Sequence, residues 1–423
     1  MRFDSRLLRL RRGDERLYYG WVMLLAVALA QVTSWGILYY AFSLFIAPLR
    51  DEFGWSLAQT TGAYSLGLAM SGLAAIPVGR WLDRHGPRGL MTAGSCLAVL
   101  LVVAWSRVQS LLGFYLIWAG IGLAMSAVLY EPAFYIVATW FARLRGRALT
   151  LLTFVGGLAS VLYIPLAGWL LRNGDWRMAL LVLAGILAVG TIPIHALLLR
   201  RRPRDLGLEI DGGPGPPGVR PALDVSSRTL AQALHDHAFW WLSSAFVLAT
   251  TAAMALTVHL IPYLKQHGYS TSSAAQAAGA IGLLALPGRL IFTPLGSHVP
   301  RQYVTAALFA LQAVALVVLL EVHGGLGVAL FVVLFGAGFG AITPARAALV
   351  AEMYGPQHYG SVSGTLALSV TGARAIAPVG AGVLYGMLGG YRAVFWTLVV
   401  ISALAAVAAL GARAPATEVE RRP

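Results

Sequence analysis

The sequence has little charge and a single cysteine. Only 11% of its 423 residues are Asp, Glu, Lys or Arg, less than half of the roughly 25% that is typical of soluble domains. Because Cys96 is the only cysteine, a disulfide within the chain and a metal site built on cysteines are excluded. No HExxH, Walker loop or nucleophile elbow occurs, and the polar segments are too short for a catalytic domain. Neither an enzyme nor an ATP-driven pump is therefore expected, and no cofactor or metal is predicted.

The chain contains many long runs of hydrophobic residues. Hydrophobic residues make up 58% of it and the mean hydropathy is +0.73. They form runs of about 20 or more residues, which cross about 30 Å of hydrocarbon as α-helices. The runs are rich in Gly, Ala and Leu, without the alternation of barrel strands. We predict an all-α membrane protein whose twelve spans, helix 1 to helix 12, lie near residues 19–47, 58–82, 87–106, 110–138, 147–171, 176–199, 237–264, 271–297, 302–322, 325–353, 359–386 and 391–411.

The basic residues predict how the spans are oriented. The formal net charge is +14, and 22 of the 31 Lys and Arg residues fall on one side of the twelve spans, 6 on the other and 3 inside them. By the positive-inside rule the basic side is cytoplasmic, which predicts a multi-pass protein of the cell inner membrane with both termini in the cytoplasm. The basic segments indicate topology and contact with anionic lipid, and no nucleic-acid partner is expected. The N-terminal stretch lacks a small-residue cleavage site and is interpreted as a retained tail.

The chain repeats itself in two halves. We predict a tail at 1–18, six helices at 19–199, a Pro- and Gly-rich cytoplasmic linker at 200–236, six helices at 237–411 and a tail at 412–423. Gly54 and Gly268 both follow a predicted helix and lie 214 residues apart, and Arg177 and Arg392 lie 215 apart. Duplicated six-helix halves predict a transporter with a midplane solute site between two moving bundles.

A short motif lies between helices 2 and 3. The stretch GRWLDRHGPR resembles the signature loop of the major facilitator superfamily, and it matches that loop at Gly79, Asp83, Arg84, Gly86 and Arg88. The resemblance implies two pseudo-symmetric six-helix bundles and secondary active transport by alternating access, with this loop acting in gating. A carboxylate such as Asp83 can contact the positive N-terminal end of a neighbouring helix or a basic partner. The second-half counterpart PLGSHVPR has Ser297 and His298 in place of the Asp-Arg pair, which predicts an asymmetric gate.

Four further segments give a finer resemblance. YYGWVMLLA and GILYYAFSLF in helix 1, WFARLRGRALT before helix 5 and GRLIF in helix 8 are similar to the monocarboxylate porter and oxalate/formate antiporter branch. This resemblance implies a small organic anion as substrate, a carboxylate-binding role for Arg289 and a second cation at Arg374. Coupling to protons is considered, with symport and antiport both left open. Animal relatives have an aspartate and a lysine where this chain has Ala285 and Tyr39.

Five ionisable residues lie deep in the predicted spans. A charge at that depth costs about 2.5–3.5 kcal/mol on insertion scales, so it usually faces a cavity, a partner or a substrate. Three arginines oppose one glutamate, an excess of two positive charges that a bound anion would relieve. The five are Glu131, His259, Arg289, Arg346 and Arg374.

Several roles stay open at this point. Arg346 either pairs with Glu131 or is available to the solute. Glu131 is either that partner or a proton carrier. Arg374 either binds substrate or donates hydrogen bonds to the backbone carbonyl groups that Pro378 leaves unpaired. His259 is either a substrate ligand or an ordinary lining residue. Tyr40 and Tyr130 either line the solute site or pack against other helices.

An exporter of drugs or sugars on the same scaffold, or a sensor, is the alternative to an anion carrier. The expected partners are a small molecule, protons and membrane lipid, and a monomer is expected.

Overall fold

The computed structural model describes residues 18–212, 227–296 and 299–412. The predicted tails apart from Tyr18 and Ala412, the centre of the predicted linker and the Ser297–His298 pair lie outside these residues. The described ranges form helices and connecting turns, and twelve of the helices are long and apolar enough to cross a membrane, as predicted. In order they are Tyr19–Phe53, Leu57–His85, Pro87–Trp105, Leu111–Trp140, Arg145–Asn173, Trp176–Leu198, His237–Gln266, Thr271–Leu295, Arg301–Glu321, Gly324–Tyr354, Tyr359–Leu388 and Tyr391–Gly411.

The two halves end and cap their helices in the same way at equivalent positions. Gly54 ends helix 1 with a φ of 68°, and Gly268 follows helix 7 with a φ of 84°, a left-handed conformation that favours glycine. Two residues after each glycine a serine hydroxyl caps the next helix: Ser56 accepts the N–H of Gln59, and Ser270 accepts the N–H of Ser273, both at 3.1 Å. The sequence repeat is therefore a repeat of helix ends as well as of helices.

Three of the helices are interrupted within the span, whereas helix 6 has a π-turn only at its end, at Ile194–Leu198. Helix 1 contains a π-turn at Gly36–Tyr40, helix 4 breaks at Leu129 between Leu111–Val128 and Tyr130–Trp140, and helix 5 bends at Leu158. All three interruptions lie in the middle of a span. Irregular backbone at membrane depth is tolerated where it is buried in protein or lines a cavity, so these positions point to the centre of the molecule.

The apolar core shows where the halves meet. We call the end at which residues 199–212 lie the linker end. One buried cluster there contains residues of both halves, including Trp140 and Phe141 of helix 4 together with Tyr354 and Tyr359 around helices 10 and 11. Towards the opposite end the first half and the second half have separate clusters of their own. The halves therefore share a core at the linker end.

Glycines confirm this difference between the two ends. At the linker end, a Cβ added to Gly360 of helix 11 would lie 2.4 Å from the carbonyl oxygen of Gly79 of helix 2, and one added to Gly364 would lie 2.2 Å from that of Ala75. Further along helix 11, a Cβ at Gly380 would meet nothing within 4 Å. Small residues thus bring the two backbones together over one half of helix 11.

The linker forms local helical structure at both of its described ends. The chain forms 3₁₀ turns at Pro203–Leu206 and Ile210–Gly212 and a short helix at Leu230–His235. The cause at the first end is Asp211, whose carboxylate accepts backbone N–H groups from residues 142–144, at 2.8 Å for Arg143. Asp211 has a φ of 60° and a side chain that is only 3% exposed. It ties the linker to the loop before helix 5.

Candidate solute-binding site

A cavity of about 230 Å³ lies between the two halves at the interrupted parts of the helices. Helices 1, 2, 4 and 5 line it from the first half, and helices 7, 8, 10 and 11 line it from the second. One of the predicted substrate ligands, His259, does not line it. The other predicted residues at this depth line it together: Tyr40, Tyr130, Glu131, Arg289, Arg346 and Arg374.

The π-turn of helix 1 forms one wall of the cavity. A Cβ at Gly36 would lie 2.3 Å from the ring of Tyr163, so the packing of helix 1 on helix 5 requires glycine at this position. A π-turn holds one residue more than an α-helical turn and changes the direction of the side chains around it, and such turns are frequent at functional sites. The consecutive residues Tyr39 and Tyr40 both line the cavity, as does Trp35 just before the turn.

The break in helix 4 is held open by a buried amide. At Leu129 the backbone is extended, which frees nearby carbonyl groups from the helix. The Nε2 of Gln31, a fully buried residue of helix 1, donates to the carbonyl oxygens of Val128 at 2.7 Å and Leu129 at 3.3 Å. These contacts satisfy backbone groups that would otherwise be buried without a partner. The segment that follows begins with Glu131 in its first turn, where the helix end favours a negative charge.

Glu131 binds two groups of the opposite half. Its Oε1 pairs with Nη2 of Arg346 on helix 10, and its Oε2 accepts the hydroxyl of Ser363 on helix 11 at 2.7 Å. The Glu131 and Arg346 side chains are 19% and 12% exposed. They lie 215 residues apart, at equivalent positions of the repeat. Equivalent residues meet only near the two-fold axis that relates two repeats, so the ion pair lies on or near that axis.

Arg289 extends from helix 8 across the boundary between the halves. Its Nε donates to the carbonyl oxygen of Gly340 on helix 10 at 3.1 Å, and its Nη1 donates to that of Thr153 on helix 5. A Cβ at Gly157 would lie 2.1 Å from Nη1, so the glycine makes room for the guanidinium. Of the five N–H donors of an arginine, these two contacts use two. The arginine is anchored by backbone and forms no ion pair with a described residue.

Arg374 and His259 occupy different places on the second half. Arg374 lines the cavity from helix 11, and its buried Nε has no hydrogen-bond partner among the described residues. His259 lies within hydrogen-bond distance of the Pro378 carbonyl oxygen through Nε2, at 3.0 Å, and of the Tyr391 hydroxyl through Nδ1, at 3.2 Å. The histidine thus joins helices 7, 11 and 12 and is away from the cavity.

The last turn of helix 2 closes the linker end. Asp83 Oδ1 accepts the N–H of Gly360 at 2.8 Å, while Oδ2 accepts the N–H of Ser361 at 2.8 Å and its hydroxyl at 2.5 Å. These are the first residues of helix 11. Of the two partners that the sequence allows for Asp83, a helix end or a basic residue, the structure has the helix end.

Of the other motif residues, Gly79 also contacts the second half, since a Cβ there would lie 2.0 Å from the carbonyl oxygen of Gly360. Gly86 and Arg88 instead contact the linker and the end of helix 6. Arg88 Nε donates to the carbonyl oxygen of Ala196 at the end of helix 6, at 2.7 Å, and Gly86, with a φ of 80°, packs against the side chain of Arg201. Arg84 is exposed. Asp83 is therefore the charged member of the motif that contacts the other half.

Comparison with known proteins identifies the family. The sequence matches the Major Facilitator Superfamily over residues 23–365 and 306–423. The chain belongs to this superfamily. Among solved structures it is similar to the fucose:proton symporter FucP of E. coli, with a TM-score of 0.68 and 14% identity over 92% of this chain and 97% of that one. It is also similar to a bacterial homologue of the iron transporter ferroportin, with a TM-score of 0.71 and 17% identity over 93% and 99%. At these identities the likeness shows the fold.

Sequence relatives within the superfamily confirm the finer resemblance. Monocarboxylate transporter 13 of Bos taurus is 26% identical over 343 residues, covering 80% of this chain and 76% of the relative. Monocarboxylate transporter 11 of Homo sapiens is 30% identical over 317 residues, covering 73% and 63%. The MFS-type transporter YcxA of Bacillus subtilis is 24% identical and covers 87% and 89%. The chain is a multi-pass membrane transporter that resembles the monocarboxylate branch.

The site contains residues that sequence reasoning missed. Three residues contribute to the site although they are not ionisable and were therefore not predicted. Gln31 bonds the break in helix 4, Ser363 bonds Glu131, and Trp35 lines the cavity. An amide in the centre of an apolar span was the signal that could have found Gln31, because a buried amide needs partners. No comparable signal marks Ser363, since serine is common in membrane helices.

The contact of Asp83 with helix 11 leads to a prediction about gating. In Asp83→Asn the amide keeps one acceptor oxygen, but its NH₂ group is a donor and cannot accept from the N–H groups of helix 11. The substitution would therefore weaken the contact between the halves. We expect slower turnover in counterflow and an equilibrium affinity within a fewfold of the parent, because the change destabilises one state of the carrier without touching the cavity. Asp236→Asn is the matched control, since Asp236 caps helix 7 within one half. A large loss of binding with normal exchange rates would contradict a gating role.

Proposed function

We propose that this transporter is a secondary carrier of small organic anions, monocarboxylates in particular, working by alternating access of its two halves. The observation that carries the proposal is the charge around the cavity. Arg289 and Arg374 line it, whereas the one carboxylate among the described lining residues, Glu131, is engaged by Arg346. A planar guanidinium suits a carboxylate because it can donate two parallel hydrogen bonds to it. An anion would balance charge that the protein leaves unbalanced.

A carrier of sugars or cationic drugs fits this lining less well. The described lining residues include no Asn, Gln, Asp or Lys, and their neutral hydrogen-bonding groups are hydroxyls and backbone. Sugars are bound by several polar groups placed around their hydroxyls. A cation would meet two guanidinium groups and no available carboxylate, an arrangement of like charges that is unfavourable.

The proposal is tested by counterflow in proteoliposomes that contain the purified protein. Liposomes loaded with one carboxylate are diluted into the same radiolabelled solute, and a panel of competitors is added: short monocarboxylates, ring-bearing monocarboxylates, dicarboxylates, a hexose and a quaternary amine. We expect exchange and competition by monocarboxylates above all. Transport of only neutral or cationic solutes would refute the proposal, and the superfamily assignment would remain.

We further propose that the linker end is cytoplasmic, so that the end at which the two halves are closed together faces the cytoplasm. The arginine-rich linker resists translocation, and the shared core and the Asp83 contact lie at its end. In a variant with Cys96→Ser, Glu209→Cys is expected to react with an impermeant thiol reagent only after cells are opened. Ser272→Cys, at the opposite end, is expected to react on intact cells. Both native residues are exposed. The reverse pattern would invert the orientation.

We propose Glu131 as the proton site of a symport. It is the one carboxylate in the described cavity lining, and it lies between the halves, where its partners Arg346 and Ser363 belong to the half opposite its own. Protonation would remove its charge and weaken the contact with Arg346, so binding of a proton would favour relative movement of the halves. Proton carriers in membrane helices are typically such residues.

A further inference from the structure

Four aromatic residues form a continuous surface on one side of the cavity. We call Trp35, Tyr39, Tyr40 and Tyr130 the aromatic wall. All four line the cavity, and all belong to the first half. The ring centroid of Trp35 lies 5.0 Å from those of both Tyr39 and Tyr130, and the Tyr39 and Tyr40 centroids are 5.1 Å apart. The rings are mutually tilted, by 62°, 43° and 77°, so they do not cover one another as a parallel stack would.

The aromatic wall differs from the aromatic residues that pack the protein. Trp105, Trp118 and Trp140 are at most 1% exposed and belong to the apolar cores. The four wall residues are only half-buried although they lie at the centre of the molecule. Their remaining accessible surface therefore faces the cavity. Rings arranged in this way offer faces and edges to a ligand, and aromatic pairs gain about 0.5–1.5 kcal/mol beyond the area that they bury.

The charged groups of the cavity that remain available lie on the other half. Arg289 and Arg374 come from helices 8 and 11, whereas the aromatic wall comes from helices 1 and 4. A ligand that contacts both must have a negative group at one end and an apolar, preferably flat, body at the other. A carboxylate of two or three carbons would satisfy the arginines and leave most of the wall without a partner.

We infer that the preferred substrate is an arene carboxylate, in which one aromatic ring is joined directly to the carboxylate or lies within a bond or two of it. The inference rests on the proposed function and names the substrate class of that same site. The ring lies against the aromatic wall, and the carboxylate binds Arg289 and Arg374. The cavity volume of about 230 Å³ is just below the roughly 300–1,000 Å³ of pockets that enclose drug-sized ligands, which suits a solute with a single ring. Because such a ligand contacts both halves, its binding would also influence their relative position.

The test compares two acids that differ in their π-electrons and little in size. Benzoate and cyclohexanecarboxylate each have one six-membered ring and one carboxylate, and the saturated ring is the more hydrophobic of the two. Simple apolar burial would therefore favour cyclohexanecarboxylate. We expect the purified parent protein to bind radiolabelled benzoate and to prefer it by roughly threefold to tenfold over cyclohexanecarboxylate in competition, the factor expected of one aromatic pair. Pyruvate is expected to compete more weakly than either.

Two variants assign the preference to the wall. Trp35→Leu is expected to lower the ratio of benzoate to cyclohexanecarboxylate affinity to about one while the affinity for cyclohexanecarboxylate stays within a fewfold. Trp169→Leu is the matched control, because Trp169 is 55% exposed on helix 5 and lies outside the cavity lining, and it should keep the ratio of the parent. Equal affinities for the two acids in the parent, or tighter binding of pyruvate, would overturn the inference and leave the carboxylate proposal intact. Competition by neutral benzamide as strong as that by benzoate would instead refute the carboxylate proposal itself.

Discussion

Arg289→Lys is expected to lower the affinity for carboxylates by roughly tenfold to a hundredfold, the equivalent of one charge-assisted hydrogen bond. The arginine is held in place by two backbone carbonyl groups on two other helices, Gly340 on helix 10 and Thr153 on helix 5. Its other N–H donors are in a fixed orientation before any solute arrives. An ammonium group keeps the charge but not the fork, so it cannot bond both carbonyls and a carboxylate in one geometry. Equilibrium binding of the best carboxylate from the counterflow panel measures the effect.

A matched arginine provides the control. Arg392 on helix 12 forms an exposed ion pair with Glu321 at 2.8 Å, outside the cavity lining, with a side chain that is 68% exposed. Arg392→Lys makes the same chemical change at a site where it should cost little stability and no binding, because exposed ion pairs contribute only about 0–1 kcal/mol. Its binding should equal that of the parent. If Arg289→Lys also bound every tested carboxylate as tightly as the parent, Arg289 would be only a bridge between helices.

Much of the fold could be predicted because lipid imposes a simple pattern. A run of about 20 apolar residues is nearly sufficient to predict a spanning helix, and the positions of Gly54 and Gly268 revealed the repeat. Helix ends were less predictable. Helix 1 was predicted to end near residue 47, just before Pro48 and the charged residues that follow it. The helix continues to Phe53, since charges are tolerated where a helix leaves the hydrocarbon.

The site was predictable only in its charged members. Depth in a span identified Glu131, Arg289, Arg346 and Arg374 as residues that need partners, and the cavity lining contains all four. Depth cannot tell which side of a helix faces the cavity when the helix is apolar all round, which is why His259 was grouped with them. Its partners are backbone and side-chain groups of helices 11 and 12.

The interruptions of the helices were not predictable for a different reason. The break at Leu129 depends on Gln31, a residue 98 positions away in the sequence, and the π-turn in helix 1 depends on the packing of Gly36 against Tyr163 of helix 5. Both are tertiary contacts that no local pattern contains. They decide which consecutive side chains reach the cavity, so the aromatic wall was visible in the sequence only as scattered tyrosines and a tryptophan.

Glu131→Gln is expected to abolish accumulation driven by a pH gradient and to spare carboxylate exchange. A gradient of one pH unit is worth about 1.4 kcal/mol per proton, which supports about tenfold accumulation of a co-transported solute. The parent should approach that ratio in proteoliposomes with an imposed gradient, and the variant should stay near one. Exchange at equal pH needs no net proton movement, so its rate should remain within a fewfold.

A structural role of the Glu131–Arg346 pair is separated from proton coupling by a second variant. Glu131→Gln alone leaves Arg346 partly buried without its carboxylate, and breaking a buried pair in this way costs roughly 3–5 kcal/mol, seen as a lower Tm in detergent. The double variant Glu131→Gln with Arg346→Gln removes both charges and should recover most of that stability, since no lone charge remains.

Glu321→Gln, in the exposed pair with Arg392, is the control for a lost carboxylate and should change neither Tm nor coupling. If Glu131 carries the proton, the double variant will be stable and still uncoupled. A double variant that regained gradient-driven accumulation would show that the pair only holds the two halves together, and the proton would have to travel by another route.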